Sequence, residues 1–279
     1  MFDLEGIRRK AEEANPINPG DYEKDGLIYC CKCHTPKQCR CELPWRTFIA
    51  PCMCKCESEK YEREQEAKAE AERLDKIKNL RINGIHDKDV REMTFAVDDG
   101  RDAKKIDLAR RYVAKWDKLY KENVGLLFYG NTGNGKTFVA ACIANALIDR
   151  KVPVLMTSFS KIIKQITGLR ADEKIGYLDS INHYDLLILD DLGAERESQY
   201  AMEIVYDVVD SRYKAGKPMI VTTNATMAQM KNPENMDHQR IYSRVLEMCM
   251  QIHFEGEDRR KDRAKDKLEI AKSILLSSD

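Results

Sequence analysis

Residues 130–137 read Gly130-Asn131-Thr132-Gly133-Asn134-Gly135-Lys136-Thr137, a complete G-x-x-x-x-G-K-[ST] loop for holding nucleotide phosphates. Gly130, Gly133 and Gly135 let the backbone curl until successive N–H groups point inward at an anion. The helix expected to start after the loop adds its partial positive charge. Lys136 can reach the outer phosphates, the Thr137 hydroxyl is placed to ligate magnesium, and Phe138 closes the nucleotide-contacting stretch. A second group of reactive residues follows at the end of the apolar run Asp185-Leu186-Leu187-Ile188-Leu189-Asp190-Asp191. A strand with no polar alternation is buried on both faces, as in a parallel sheet covered by helices, and ligands bind at the C-terminal tips of such strands. Asp190 is therefore the candidate magnesium carboxylate, and Asp191 the candidate for polarising an attacking water. Asn224 ends another apolar run, where a side-chain amide can sense a γ-phosphate or orient water.

A third chemistry is carried by cysteine. Eight of the ten cysteines fall between Cys30 and Cys56. With no apolar segment of signal-peptide length and no run of about 20 apolar residues to span a bilayer, a cytosolic protein without membrane contact is expected, where clustered thiols bind metal rather than oxidise. Cys30-x-x-Cys33 is a zinc-knuckle spacing, and Cys52, Cys54 and Cys56 follow about twenty residues later. The favoured ligand set for one structural Zn²⁺ is Cys30, Cys33, Cys54 and Cys56, with Cys52 as the substitute; two zincs or an iron–sulfur cluster are the alternatives. His34 reads as a surface residue beside the knuckle, and Cys142 and Cys249 as inert core thiols.

These groups need elements to hold them. Residues 1–57 are expected to form the metal-binding front module, opening with a short charged helical stretch. Residues 58–82 read as a solvated linker helix with opposite charges at Glu59/Arg63, Glu64/Lys68 and Glu72/Lys76, which would hold that module away from the rest. From residue 83 to 256 strands and helices alternate, predicting an α/β core of parallel strands with helices on both faces. Strands are expected at 124–129, 152–157, 186–189, 218–222 and 251–254, helices at 158–167, 199–213 and 240–248, with a polar connection after residue 167. Residues 257–279 form a charged tail with a terminal helix that frays. The 47 basic residues balance the 47 acidic ones, so no global field draws the chain to nucleic acid, and any such contact is local or built by assembly.

Within Gln239-Arg240-Ile241-Tyr242-Ser243-Arg244-Val245-Leu246-Glu247, two arginines four apart share a helix face, and a guanidinium given in trans is a known device for phosphoryl transfer. Arg244 is the favoured candidate and Arg240 the weaker one.

Taken together, GNTGNGKT, DLLILDDLG, TTN and RIYSRVLEMC resemble the replicative-helicase loaders of the DnaC/DnaI type, AAA+ ATPases of the initiator clade, over about residues 83–256. The cysteine module before a charged helix is similar to the metal-binding front of the DnaI-like and phage loaders. The resemblance implies an AAA+ P-loop core with 5-1-4-3-2 strand order, ATP with Mg²⁺ as cofactor, and weak, assembly-dependent hydrolysis. It also implies self-assembly along single-stranded DNA and an N-terminal module that grips a DnaB-type replicative hexameric helicase. Residue by residue it carries over Lys136 and Thr137 for phosphate and magnesium, Asp190 and Asp191 for metal and water, Asn224 as sensor and Arg244 as finger. Glu197-Ser198-Gln199-Tyr200 resembles a segment facing DNA, which makes Ser198, Tyr200 and also Lys161 candidate single-strand contacts. Arg259, Arg260 and Arg263 read as a solvated charge run, leaving no arginine of the second-sensor type. IstB-type transposition helpers share nearly the same core but generally lack a metal-binding front; a binding module whose ATP site is only structural is the third reading.

Overall fold

The computed structural model describes residues 17–194, 198–233, 235–256 and 258–276. The charged N-terminal stretch and Glu197 lie outside them. The chain divides near residue 75 into two compact units.

The first unit is built from two short antiparallel hairpins, β1 (Tyr22–Lys24) with β2 (Leu27–Tyr29) and β3 (Gln38–Leu43) with β4 (Arg46–Pro51). Neither pair has enough apolar surface to fold alone; a pair of two-stranded ribbons needs another source of stability. The Lys37–Asp21 ion pair, at 3.0 Å with both side chains almost fully enclosed, ties the segment before β1 to the start of β3. Helix α1 (Lys55–Gly84) follows as thirty residues with almost no buried side chain, as its composition demands. Its ion pairs differ in detail from those expected: Lys55–Glu59, Lys60–Glu64 and Glu70–Arg73 form, while Arg63 turns to the Glu59 carbonyl.

The second unit begins with the short α2 (Lys88–Glu92), α3 (Ala103–Ala114) and α4 (Trp116–Lys121), and continues as alternating strand and helix. Strand β5 (Gly125–Gly130) leads through the glycine loop into α5 (Lys136–Asp149); β6 (Val154–Ser158) leads into α6 (Phe159–Ile166) and α7 (Ala171–Asn182). Then come β7 (Leu186–Leu192), α8 (Gln199–Lys214), β8 (Met219–Thr223), the one-turn α9 (Met227–Lys231), α10 (Met236–Met248), β9 (Cys249–Phe254) and α11 (Arg259–Leu276). All five strands are parallel, ordered β6-β7-β8-β5-β9. Counted from the strand before the glycine loop, that is the expected 5-1-4-3-2 order. Residues 168–185, read as a polar connection, contain helix α7, which buries little beyond Ile181 and so carries almost no apolar stripe to announce it.

Strand alternation sorts the core into two layers. Leu126, Phe128, Ile188 and Ile220 face α5 through Ala140, Ile143 and Leu147. Leu127, Leu187, Leu189 and Val221 face Phe159, Ile162, Val205, Val208 and Val245. At the edge of the second layer the buried Arg212 guanidinium donates to the carbonyls of Tyr184, Asp185 and Pro218 at 2.6–3.3 Å, fixing the entry to β7 and β8. With both faces packed, the strand tips cannot drift, and the side chains they carry are held relative to one another.

Candidate functional site

The tips of β5, β7 and β8 converge on one cavity of about 470 Å³. The glycine loop forms its floor, with left-handed backbone at Gly133 and Gly135, where a side chain would be strained. Asn134 anchors the loop by donating to the Phe254 carbonyl of β9 at 3.1 Å. Lys136 is only 5 % exposed, and its ammonium donates to the Gly130 and Asn131 carbonyls at 2.8 and 2.7 Å and to Asn224 Oδ1 at 2.9 Å. The sequence separation of 88 residues between Lys136 and Asn224 vanishes in the sheet.

Beside it, the Thr137 hydroxyl donates to the Asp190 carboxylate at 3.0 and 3.2 Å, and Thr222 donates to the same carboxylate at 2.6 Å. Thr222 Oγ1 also accepts the Asp191 N–H at 2.9 Å. This double use of Thr222 has a backbone cause. Leu189 pairs with Val221 but Leu192 pairs with Thr223, so β7 carries one residue more than β8 across the two aspartates. Asp191 takes the extra residue's left-handed conformation, φ 58°. A bulge at a strand tip re-aims side chains, and here it leaves both aspartates on the cavity wall. Burial raises the Asp190 carboxyl above the ordinary carboxylate range, and the neighbouring Asp191 adds to this. The Thr222 and Thr137 hydroxyls and the Lys136 charge oppose it. A buried carboxylate next to a hydroxyl, at the mouth of a glycine cradle, is a donor set suited to a hard divalent cation such as Mg²⁺.

Thr132, Gly133, Asn134, Gly135, Lys136, Thr137, Phe138, Asp190, Asp191 and Asn224 all line the cavity; Gly130 and Asn131 are not in its lining and act through the carbonyls that hold Lys136. Met93, Val97, Asp99 and Arg259 complete the lining, and none of the four was singled out from sequence as a site residue. Arg259 corrects the reading of residues 259–263 as a solvated run: its side chain is 19 % exposed and paired with Asp99 and Asp102. The side chains of Arg260 and Arg263 lie outside the described residues.

Arg244 lies away from the cavity, on α10, and is engaged within its own chain. It donates to Asp210 at 2.8 Å and to the Tyr206 hydroxyl at 3.0 Å, and lies over the rings of Tyr206 and Tyr213 at 4.9 and 5.7 Å. Asp210 is desolvated here, yet Lys214 and Arg244 together hold it below its ordinary pKa. Arg240, one turn earlier, is exposed. Of the DNA-contact candidates, Ser198 caps α8 by accepting the Ala201 N–H at 3.1 Å. Tyr200, 40 % exposed, accepts from Lys174 at 3.0 Å beneath the same ammonium, and Lys161 is exposed on the first turn of α6.

In the first unit the sulfurs of Cys30, Cys33, Cys54 and Cys56 lie within 4.8 Å of one another. Cys56 Sγ is 3.6 Å from Cys30 Sγ and 3.5 Å from Cys54 Sγ. Four thiolates at the zinc–sulfur distance of about 2.3 Å in a tetrahedron would be about 3.8 Å apart, so the set fits Zn²⁺. Its acidities say the same: the Thr35 hydroxyl and the Cys56 N–H bring Cys33 down to about 5, whereas Cys54, Cys30 and Cys33 push Cys56 up to about 12. Four crowded thiols cannot all ionise without a cation between them. Cys52, the expected substitute, turns instead to the Pro36 carbonyl at 3.7 Å, and Cys39 and Cys41 pair off at 3.8 Å. His34 bonds Tyr22 through Nδ1 and stays outside the set.

Comparison with known proteins places this geometry. The family model for IstB-like ATP-binding proteins matches residues 53–267. The chain belongs to that family. It is 30 % identical over 127 residues to the replicative helicase loader DnaC of Escherichia coli K12, covering 44 % of this chain and 50 % of DnaC. It is 26 % identical over 164 residues to the replicative helicase loader DnaI of Bacillus subtilis 168, covering 54 % and 53 % of the two chains. A crystal structure of DnaI superposes with a TM-score of 0.51 and 27 % identity over 62 % of this chain and 94 % of that one. The chain spans about half the length of the curated relatives it matches. Strand order and relatives together make the second unit an AAA+ core, whose family membership supports ATPase activity in general. Among the described residues no helix is long and apolar enough to cross a membrane.

Proposed function

We propose that this protein is an ATP-dependent loader of a DnaB-type replicative helicase, which it binds through the four-cysteine module and delivers to single-stranded DNA. What supports the reading is a combination in one chain: an IstB/DnaC-type phosphate-loop core, and ahead of it four cysteines whose sulfurs fall within 4.8 Å. In this reading Lys136 exchanges its carbonyl partners for the outer phosphates. Thr137 and Asp190 hold Mg²⁺, which neutralises charge on the phosphates. Asp191 orients the water, Asn224 distinguishes triphosphate from diphosphate, and Arg244 serves a neighbouring subunit's site. Nucleotide binding favours the assembled state and hydrolysis releases the loader. Lys161, Ser198 and Tyr200 lie along the single strand.

The family description itself favours a second reading, a transposition helper of the IstB type. Capture by the full-length chain separates the two. Tagged protein is incubated with ATP and either a replicative hexameric helicase or an IS21-type transposase. Retention of the helicase, lost when Cys30 and Cys33 are both changed to serine, is the expected result. Retention of the transposase alone would overturn the loader reading.

A further inference from the structure

Three cysteines outside the four-thiolate set meet on one face of the hairpin β3–β4. Cys39 and Cys41 are two residues apart on β3, so strand alternation sends both side chains to the same face, with their sulfurs 3.8 Å apart. Ala50 of β4 stands opposite Cys39. The Cys52 N–H donates to the Lys37 carbonyl at 2.8 Å, which carries the same register one residue past Pro51. Cys52 is therefore the diagonal neighbour of Cys39 on that face. Its thiol is hydrogen-bonded to Cys39 and lies in the field of Cys41. Cys31, the eighth cysteine of the module, turns away to the Pro19 carbonyl at 4.0 Å.

Close thiols either oxidise or chelate, and the backbone decides between the two. An extended strand separates Cα atoms two residues apart by about 6.6–6.8 Å, at the limit a disulfide spans. Diagonal neighbours across a hairpin are about 7–8 Å apart, beyond that limit. A cation between the sulfurs needs no such approach, because thiolates sharing one tetrahedral ion stand about 3.8 Å apart. The Cys39–Cys41 pair already has that spacing. Soft thiolates select thiophilic ions such as Zn²⁺ or Cu⁺ over Mg²⁺ and Ca²⁺. Three protein ligands leave a tetrahedral ion one open position, and it faces solvent here because Cys39 is exposed. A bound ion would tie β3 to the segment entering α1, across a hairpin with little apolar surface of its own.

We propose that Cys39, Cys41 and Cys52 form a second metal site, a three-thiolate cradle for a soft, thiophilic cation, separate from the four-thiolate site. With one protein ligand fewer it holds metal less tightly, so it fills only when metal is supplied. The metal content of the chain as purified stays that of the four-thiolate site. The inference does not depend on which partner the front module binds.

The test titrates the full-length chain, as purified and kept anaerobic, in two arms. One uses Co²⁺, whose thiolate charge-transfer absorption reports metal–sulfur bonds, as the probe for Zn²⁺. The other uses Cu⁺ buffered by a chromophoric chelator. Wild type is expected to take up about one further cation per chain in at least one arm, and the tighter arm names the ion. Loss of an outer-shell partner alone costs about 10–100-fold in metal affinity, so losing a ligand should cost at least that. Cys39→Ser, Cys41→Ser and Cys52→Ser should each show this loss for the added cation while elemental analysis still finds the first zinc. Cys31→Ser should bind both as wild type does. No further uptake by wild type in either arm would overturn the proposal, as would unchanged uptake in Cys39→Ser. Loss of the first zinc from Cys39→Ser or Cys41→Ser would overturn it too, since the two sets would then be one cluster.

Discussion

Asn224→Asp is the sharpest probe of the inner cavity. The amide oxygen is 2.9 Å from the Lys136 ammonium, and the substitution puts a full negative charge there without changing the side-chain shape. Two unit charges at that distance attract by about 1.4 kcal/mol in bulk water and about 6 kcal/mol at an effective dielectric near 20. With Lys136 only 5 % exposed, the bulk-water figure is a lower bound. The neutral bond being replaced is already worth about 1.5–3 kcal/mol because its donor is charged. At the effective dielectric near 20 the net increase in Lys136 retention is then about 3–4.5 kcal/mol, and ATP must overcome it to recruit the lysine. Titration of the full-length protein with fluorescent ATP should therefore show affinity lower by about tenfold or more. ADP should lose less, because the γ-phosphate meets the introduced carboxylate most directly. Asn224→Ala removes one of the described acceptors without adding charge. It should leave both affinities within a few-fold while slowing hydrolysis. If Asn224→Asp bound ATP as wild type does, with an unchanged melting temperature, the lysine–asparagine contact would have no part in phosphate recognition.

Three further expectations follow from the same geometry. Elemental analysis of the purified protein should give about one zinc per chain, lost together with helicase capture on changing Cys30 and Cys33 to serine; iron, or no metal, would refute the four-thiolate site. Arg244→Ala should leave ATP binding intact and remove turnover, and the loss of its Asp210 bond and two ring contacts should also cost about 1–3 kcal/mol in denaturant unfolding; if turnover falls in exposed Arg240→Ala instead, the finger is Arg240. Asp190, whose pKa is raised chiefly by burial, disfavours the folded state when ionised, so Asp190→Asn should raise the melting temperature of the nucleotide-free protein at pH 7 while abolishing Mg²⁺-dependent turnover. That gain should shrink as pH falls through the raised pKa towards about 3.9, below which folded and unfolded states are both protonated; a gain that does not change with pH would show that the charge is not its source.

Much of the site was legible because it is written in local patterns. A glycine loop between two apolar runs, a wholly apolar strand ending in acids, and cysteines at knuckle spacing each specify their own neighbourhood, and parallel topology then brings the strand tips together. What escaped the sequence depends on contacts that leave no period behind. Thr222 read as part of a strand end, yet its hydroxyl holds Asp190 and Asp191 at once, and only because β7 bulges there. Helix α7 hid in a stretch that buries little beyond Ile181. Arg259 meets acids about 160 residues away, and its neighbours in sequence are charged in the manner of a solvated tail. Asp99, Met93 and Val97 precede the first sheet strand and reach the cavity only through the packing of α2 and α3 against α5.

The cavity thus has two walls of different physical character. The inner one is made of strand tips under a closed core, with Thr137, Asp190 and Thr222 joined in one hydrogen-bonded chain and Lys136 held beside it by Gly130, Asn131 and Asn224. Moving any of them would break several bonds in a low-dielectric setting, so this wall is preorganised and suited to recognising a fixed arrangement of phosphate and metal. The outer wall is a turn of helix held by partly exposed ion pairs, each acid having a spare cation. Such pairs are individually worth about 1 kcal/mol or less and rearrange easily. A nucleotide arriving between the two walls therefore redirects the Lys136 ammonium without disturbing the Thr137–Asp190–Thr222 chain, so phosphate recognition draws on groups already in place.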